Sequence, residues 1–277
     1  MNLPQRHSDL KDLKKVMFLY DSALKEVETK IEILNNEFKM AHKYNPIEHI
    51  ASRIKTPQSI AKKLRHNNKE YTIENVIKQI NEIAGIRIIC SFKSDIFRIA
   101  DSISKQNDVT VLKIKDYITN PKSNGYSSYH MIISVPIYLT NTVVDTKVEI
   151  QIRTIAMDYW ASLEHKIYYK FEGNAPMNIR EELRECADVV AYLDEKMLSI
   201  NEKIERYNNS LDRESDKESL LEINMKESFG HVLEEDFNVD SEHEVYKDYP
   251  YIIENKKAPI NEKKDSKILN FFKLKTD

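Results

Sequence analysis

The sequence predicts an α+β fold, with strands and short helices interleaved through its middle and a long heptad-patterned helix towards each end. Val148, Ile150 and Ile152 alternate strictly with Lys147, Glu149, Gln151 and Arg153, the period of a half-buried strand. Leu10, Leu13, Met17, Tyr20, Leu24, Val27, Ile31, Leu34 and Phe38 recur at spacings of three and four, as heptad helices do. A second such series runs Ile179, Leu183, Cys186, Val190, Leu193, Met197, Ile200, Ile204, Tyr207.

Composition narrows the class. At 277 residues, 41% hydrophobic and 31% charged, the chain can bury a sizeable core and stay in water. The net charge of −3 conceals an acid-rich C-terminal stretch, so local patches carry the information rather than the overall balance. Two cysteines suit a reducing cytosol without a disulfide framework. No apolar run approaches the ~20 residues of a membrane span, and the N-terminus lacks a signal-peptide core. The expectation is a cytoplasmic protein with no membrane partner. Only four glycines occur, so Gly85 and Gly125 are expected where the backbone needs unusual angles or close approach.

The first heptad series predicts a helix over 10–38, and the second one over 179–207. Such helices either cap the core of one subunit or meet across subunits. Thr56-Pro57 is a helix start, a hydroxyl cap followed by a pre-set first turn. Arg53, Lys55, Lys62, Lys63, Arg65 and Lys69 surround it with no acid between Glu48 and Glu70. An acid-free run beside a helix N-terminus, where backbone N–H groups attract anions, points to a polyphosphate or nucleic acid. Thr72 caps a further helix ending near Glu82, and Ile86–Cys90 reads as a strand from which Arg87 projects. Residues 94–106 suggest an amphipathic helix and 109–115 a strand. A loop from Asp116 to His130, marked by Pro121 and Asn124-Gly125, leads into the strand Met131–Val135. Its Tyr126, Lys122 and His130 are core or sheet-surface residues, or else a platform and cations for a base and its phosphates.

Four blocks recur in order: Ser52-Arg-Ile-Lys55, Glu82-Ile-Ala-Gly-Ile-Arg87, Asn124-Gly-Tyr-Ser-Ser-Tyr-His130 and Val148-Glu-Ile-Gln-Ile-Arg-Thr154. Together with Ala156–His165 they resemble the synthetase domain of the RelA/SpoT proteins, most closely the single-domain small alarmone synthetases of the RelQ kind. The resemblance implies a nucleotidyltransferase-like mixed β-sheet flanked by helices, over a domain 1–207. It implies transfer of the β,γ-pyrophosphate of ATP to the 3′-hydroxyl of GTP or GDP, with GMP also open as acceptor, giving (p)ppGpp and AMP. By position, Arg53 and Arg87 are expected to sandwich the adenine, and Lys55, Ser59 and Lys63 to contact the donor phosphates. Tyr126 is expected to stack on the acceptor guanine, with Lys122 and His130 near its phosphates and Gln151 and Asp158 contacting the acceptor. Glu149 matches the carboxylate that activates the hydroxyl, and Glu82 and Glu149 together are expected to hold Mg²⁺. The reaction needs positioning and charge neutralisation more than covalent catalysis, which suits so many convergent cations.

Two positions depart from the family pattern: Glu82 stands where Asp is usual, and Ser127 where Arg is common. The family's bifunctional members carry a hydrolase domain, for which this chain has no room, so synthesis alone is expected. A homotetramer is a further implication, and single-stranded RNA a possible partner of the basic face. Residues 208–277 read as a charged, flexible tail. The rivals are a catalytically weakened nucleotide- or RNA-binding regulator of the same fold, and an ordinary nucleotidyltransferase.

Overall fold

The computed structural model describes residues 7–41, 44–171 and 175–229. The chain divides into two compact units, Met1–Glu205 and Arg206–Asp277. Eleven elements follow in the order α1 (His7–Ala41), β1 (Ile47–Ile54), α2 (Pro57–His66), α3 (Ile73–Gln79), β2 (Ala84–Cys90), α4 (Lys93–Ser104), β3 (Thr110–Asp116), β4 (Tyr129–Tyr138), β5 (Val143–Thr154), α5 (Ile155–Lys170) and α6 (Met177–Phe229). The strands form one sheet in the order β1-β2-β5-β4-β3. Only β2 and β5 run parallel, so the sheet is mixed.

The alternation in β5 separates the two faces of the sheet. Val148, Ile150 and Ile152 pair with Ile133, Met131 and Tyr129 on β4, and Ile150 and Ile152 with Ile86 and Ile88 on β2. This apolar face is covered by α1 and α4, which bury Val16, Tyr20, Val27 and Ile31 of α1 and Ile96, Ile99 and Ile103 of α4. Full burial of each such aliphatic side chain contributes on the order of 1.5–3 kcal/mol. The opposite face carries Glu149 and Gln151, with Gly85 and Arg87 at the same level of β2, and His130 of β4 beside Gln151.

The structure adds one strand, decides between the two placements open to the first heptad stripe, and extends the last helix. β1 was not foreseen: Ile47, Ile50 and Ile54 are spaced three and four apart, which imitates a helix, and an edge strand pairing only with β2 has no strict alternation to betray it. The α1 stripe, expected as a candidate for contacts across subunits, lies against the sheet of its own chain. It is also wider than a heptad seam, because Val16, Leu19 and Ala23 are buried with the predicted positions. Finally, α6 runs on to Phe229, so the tail expected from 208 begins as helix, and the rest of that tail lies outside the described residues.

Candidate active site

Glu149 stands on the central strand β5 and is only 7% exposed. Its nearest side-chain neighbours come from its own strand and from β4. Gln151 Nε2 donates to Glu149 Oε2 at 3.0 Å, and His130 Nδ1 lies 3.6 Å from Oε1. Burial pushes the Glu149 carboxyl up, but the His130 and Gln151 contacts, with the nearby Lys115 charge, outweigh it and hold it below its ordinary value. Glu149 is therefore a carboxylate at neutral pH, able to take a proton. On β2, Gly85 sits directly beside it. A Cβ there would meet nothing nearer than the Glu149 backbone oxygen at 4.0 Å, so this glycine provides open space rather than an unusual backbone angle. One concave pocket collects Arg53, Glu82, Gly85, Arg87, Glu149 and Gln151.

The side of this pocket expected to take the donor is built by the turn from β1 into α2. Thr56 caps α2, its hydroxyl accepting from Ser59 N at 3.3 Å, with Pro57 in the first turn as the sequence indicated. Lys55 precedes the cap and Lys63 lies two turns along the helix. Both reach Glu82: Lys55 Nζ donates to Oε1 at 3.1 Å, and Lys63 Nζ bonds the same oxygen. Burial raises the Glu82 carboxyl, yet Lys63 and Lys55 overcome that and hold it below the ordinary value. Ser59 is exposed in the first turn of α2, bonded to Thr56.

The side expected to take the acceptor is the loop between β3 and β4. Gly125 has φ 87°, and its N–H donates to Lys122 O at 2.8 Å, so this glycine does meet the expectation of an unusual backbone angle. Ser127 does not reach into the site: its hydroxyl donates to Tyr117 O at 3.0 Å and ties the loop to itself. Lys122 Nζ lies 4.6 Å from the Tyr126 ring centroid and 4.9 Å from that of Tyr117. Behind the loop, Tyr126 packs on Trp160, Ala161 and Ala187, which gives the platform a rigid back.

Arg153 joins these parts, although the alternation of the strand marks it only as one polar position among four. It is 5% exposed. Its guanidinium donates to Ser128 Oγ, Asp158 Oδ1, Tyr126 Oη and Gln151 Oε1 at 3.2, 3.1, 2.6 and 3.0 Å. The Tyr126 hydroxyl also meets His130 Nε2 at 2.8 Å. An arginine N–H can only donate, so the Tyr126 oxygen accepts from Arg153 and still has its own hydrogen and a second lone pair for the contact with His130, whose other ring nitrogen faces Glu149. The result is a closed circuit from Glu149 through His130, Tyr126, Arg153 and Gln151 back to Glu149. Asp158, in the first turn of α5, attaches Arg87 to it with Arg87 Nη1 3.2 Å from Oδ1. Thr154 fixes the β5–α5 junction, accepting from Met157 N at 3.1 Å and donating to the buried Asp194 at 2.7 Å. Lys115, opposite His130 on β3, was also missed; its alternation with Ile114 was the available signal.

Two carboxylates lining one pocket, with the remaining positions open to phosphate oxygens and water, is a donor set that suits Mg²⁺. No cluster of three or more His, Cys, Asp or Glu side chains suited to a metal occurs among the described residues. A metal here would therefore depend on substrate phosphates for much of its shell.

A sheet face with an ionised buried carboxylate, flanked by convergent lysines and arginines, defines an enzyme of the phosphoryl-transfer class. Residues 52–174 match the family described as "Region found in RelA / SpoT proteins". The chain is 46% identical to GTP pyrophosphokinase YwaC of Bacillus subtilis (strain 168), over 74% of this chain and 100% of that protein. The crystal structure of small alarmone synthetase 2 from Bacillus subtilis has TM-score 0.63 and 46% identity, covering 69% of this chain and 99% of that one. That of small alarmone synthetase 1 from the same organism, bound to its product pppGpp, has TM-score 0.65 and 31% identity, covering 70% and 98%. The chain belongs to the RelA/SpoT family.

Proposed function

We infer that this chain is a GTP pyrophosphokinase that makes (p)ppGpp, working by synthesis alone, with Glu149 as the base. ATP lies on the Arg53–Arg87 side, its adenine between the two guanidiniums and its phosphates along Lys55, Ser59 and Lys63. GTP or GDP lies on the loop side, its guanine on Tyr126 and its phosphates towards Lys122 and His130, with Gln151 and Asp158 contacting it. The 3′-hydroxyl attacks the β-phosphorus of ATP and gives its proton to Glu149. The O–P bond to the β-phosphorus forms as the α–β bridge breaks, and AMP leaves with the bridging oxygen. Mg²⁺, held by Glu82 and Glu149, would neutralise charge on the transferred group. The single observation that carries this reading is the buried, ionised Glu149 beside the open space at Gly85.

No helix among the described residues is long and apolar enough to cross a membrane, and the cytosol, where both nucleotides are abundant, is the compartment proposed. A homotetramer is proposed on the exposed stripe of α6, where Leu193, Met197, Ile200 and Ile204 face solvent. Exposed Lys62 and Lys69 support single-stranded RNA as a further ligand.

The test is incubation with labelled ATP, GTP and Mg²⁺. AMP and a 3′-pyrophosphorylated guanosine should appear together in equal amounts. Free pyrophosphate instead would mean nucleotidyl transfer, and no turnover a binding protein.

A further inference from the structure

Arg87 and Arg153 serve different sides of the site, yet one oxygen holds both. Asp158 Oδ1 lies 3.2 Å from Arg87 Nη1 and 3.1 Å from Arg153 Nη1. Arg153 continues to the Tyr126 hydroxyl at 2.6 Å, so three links join the donor clamp to the acceptor platform. The partners differ in freedom. Arg153 is buried and held by three further groups, whereas the Arg87 side chain is 36% exposed and its Nε is buried without a partner. The carboxylate is also the counter-ion that lets the two guanidiniums approach; without it they repel, and the less restrained Arg87 is the one that moves. Asp158 Oδ2 has no partner among the described residues, although a carboxylate oxygen is the natural acceptor for the N1–H and amino edge of guanine.

We propose that Asp158 couples the donor and acceptor sites, so that each nucleotide raises the affinity for the other. The proposal rests on the reading of Arg87 as donor-side and Tyr126 as acceptor-side. The physical basis is shared ordering. Adenine on Arg87 needs that side chain fixed by Oδ1, and guanine at Oδ2 needs the same Asp158 rotamer. Whichever nucleotide binds first orders the pair, and the second binds to a site already set. Arg153 anchors the arrangement to Tyr126, so the platform and the clamp share one reference point. Linkage makes the effect reciprocal: the factor by which the donor tightens the acceptor equals the factor by which the acceptor tightens the donor.

The experiment is calorimetry on the full chain with Mg²⁺, titrating GDP and adenosine 5′-(α,β-methylene)triphosphate, whose α–β bridge cannot be cleaved. Each is titrated alone and then with the other at saturation. Wild type should show a tightening of about five-fold or more, equal in both directions. Asp158→Asn and Asp158→Ala should each bring that factor close to one. Loss of a guanine contact alone would weaken GDP equally with and without the analogue and leave the factor unchanged, so the ratio separates coupling from simple contact. The proposal is overturned if both variants keep the wild-type factor, or if wild type binds both nucleotides independently. Failure of either nucleotide to bind wild type would overturn the site assignment itself, and the coupling with it.

Discussion

Glu82 Oε1 accepts from Lys55 Nζ at 3.1 Å and from Lys63 Nζ as well, so the residue that departs from the family's Asp is bound to both lysines expected on the donor phosphates. The extra methylene of Glu carries its carboxylate to them. On the proposed reading, ATP draws these lysines to its phosphates while Glu82 turns to the metal. Errors of about 1 Å in such a constellation cost up to 10²-fold. Glu82→Asp is therefore expected to keep or raise kcat, with weaker pairing to the lysines, while Glu82→Ala loses about 10²-fold. Steady-state kinetics across Mg²⁺ concentrations checks this, and wild-type turnover by the alanine variant would remove Glu82 from metal binding.

Glu149→Gln keeps the shape of the side chain but cannot take the hydroxyl proton. Transfer should fall by about 10²–10⁴-fold, the worth of a positioned general base. Binding of the non-cleavable ATP analogue, measured calorimetrically, should change little.

The Tyr126 ring has an aromatic and a polar part to its role, and substitution separates them. Tyr126→Ala should raise the KM for GTP far more than that for ATP, since stacking on a base is worth about 1–3 kcal/mol. Tyr126→Phe keeps the ring but removes the hydroxyl joining Arg153 and His130. Its GTP KM should stay near wild type while kcat falls several-fold, an effect read from full saturation curves in both substrates.

Gly125→Ala should act on the same loop by a different route. At φ 87° an L-residue is strained by about 1–2 kcal/mol. The added methyl would also collide with Ala187 Cβ and press on the Arg184 side chain, whose Nη1 donates to Ser123 O at 2.8 Å. The expected result is a raised acceptor KM, an ATP KM close to wild type, and a melting temperature lowered by a few degrees in calorimetry.

The α6 stripe leaves Leu193 50% and Ile204 52% exposed, the apolar surface on which the tetramer is proposed. Light scattering on the full chain should give a tetramer at micromolar concentration. Leu193→Glu with Ile200→Glu would place charges in that interface, which costs several kcal/mol per unpaired ion, and should yield smaller species. A wild-type monomer would end the tetramer reading.

Local pattern determined much of this protein. The alternation from Lys147 to Arg153 placed Glu149 and Gln151 on one face, and Thr56-Pro57 set the start of α2 beside Lys55, because strand period and helix caps depend on a few adjacent residues. The heptads marked α1 and α6 as long helices but not which stripe would be covered, since α1 lies against the sheet whereas Leu193, Met197, Ile200 and Ile204 of α6 face solvent. Tertiary structure alone decided that Lys55 and Lys63 meet at Glu82, and that Arg153 links Tyr126, Gln151 and Asp158. Those contacts bring together residues from the β1–α2 turn, α2, the α3–β2 connection, the β3–β4 loop, β5 and α5. No sequence spacing encodes them, because burial of Arg153 required each of its three guanidinium nitrogens to find an acceptor among the groups the folded chain brought within about 3 Å.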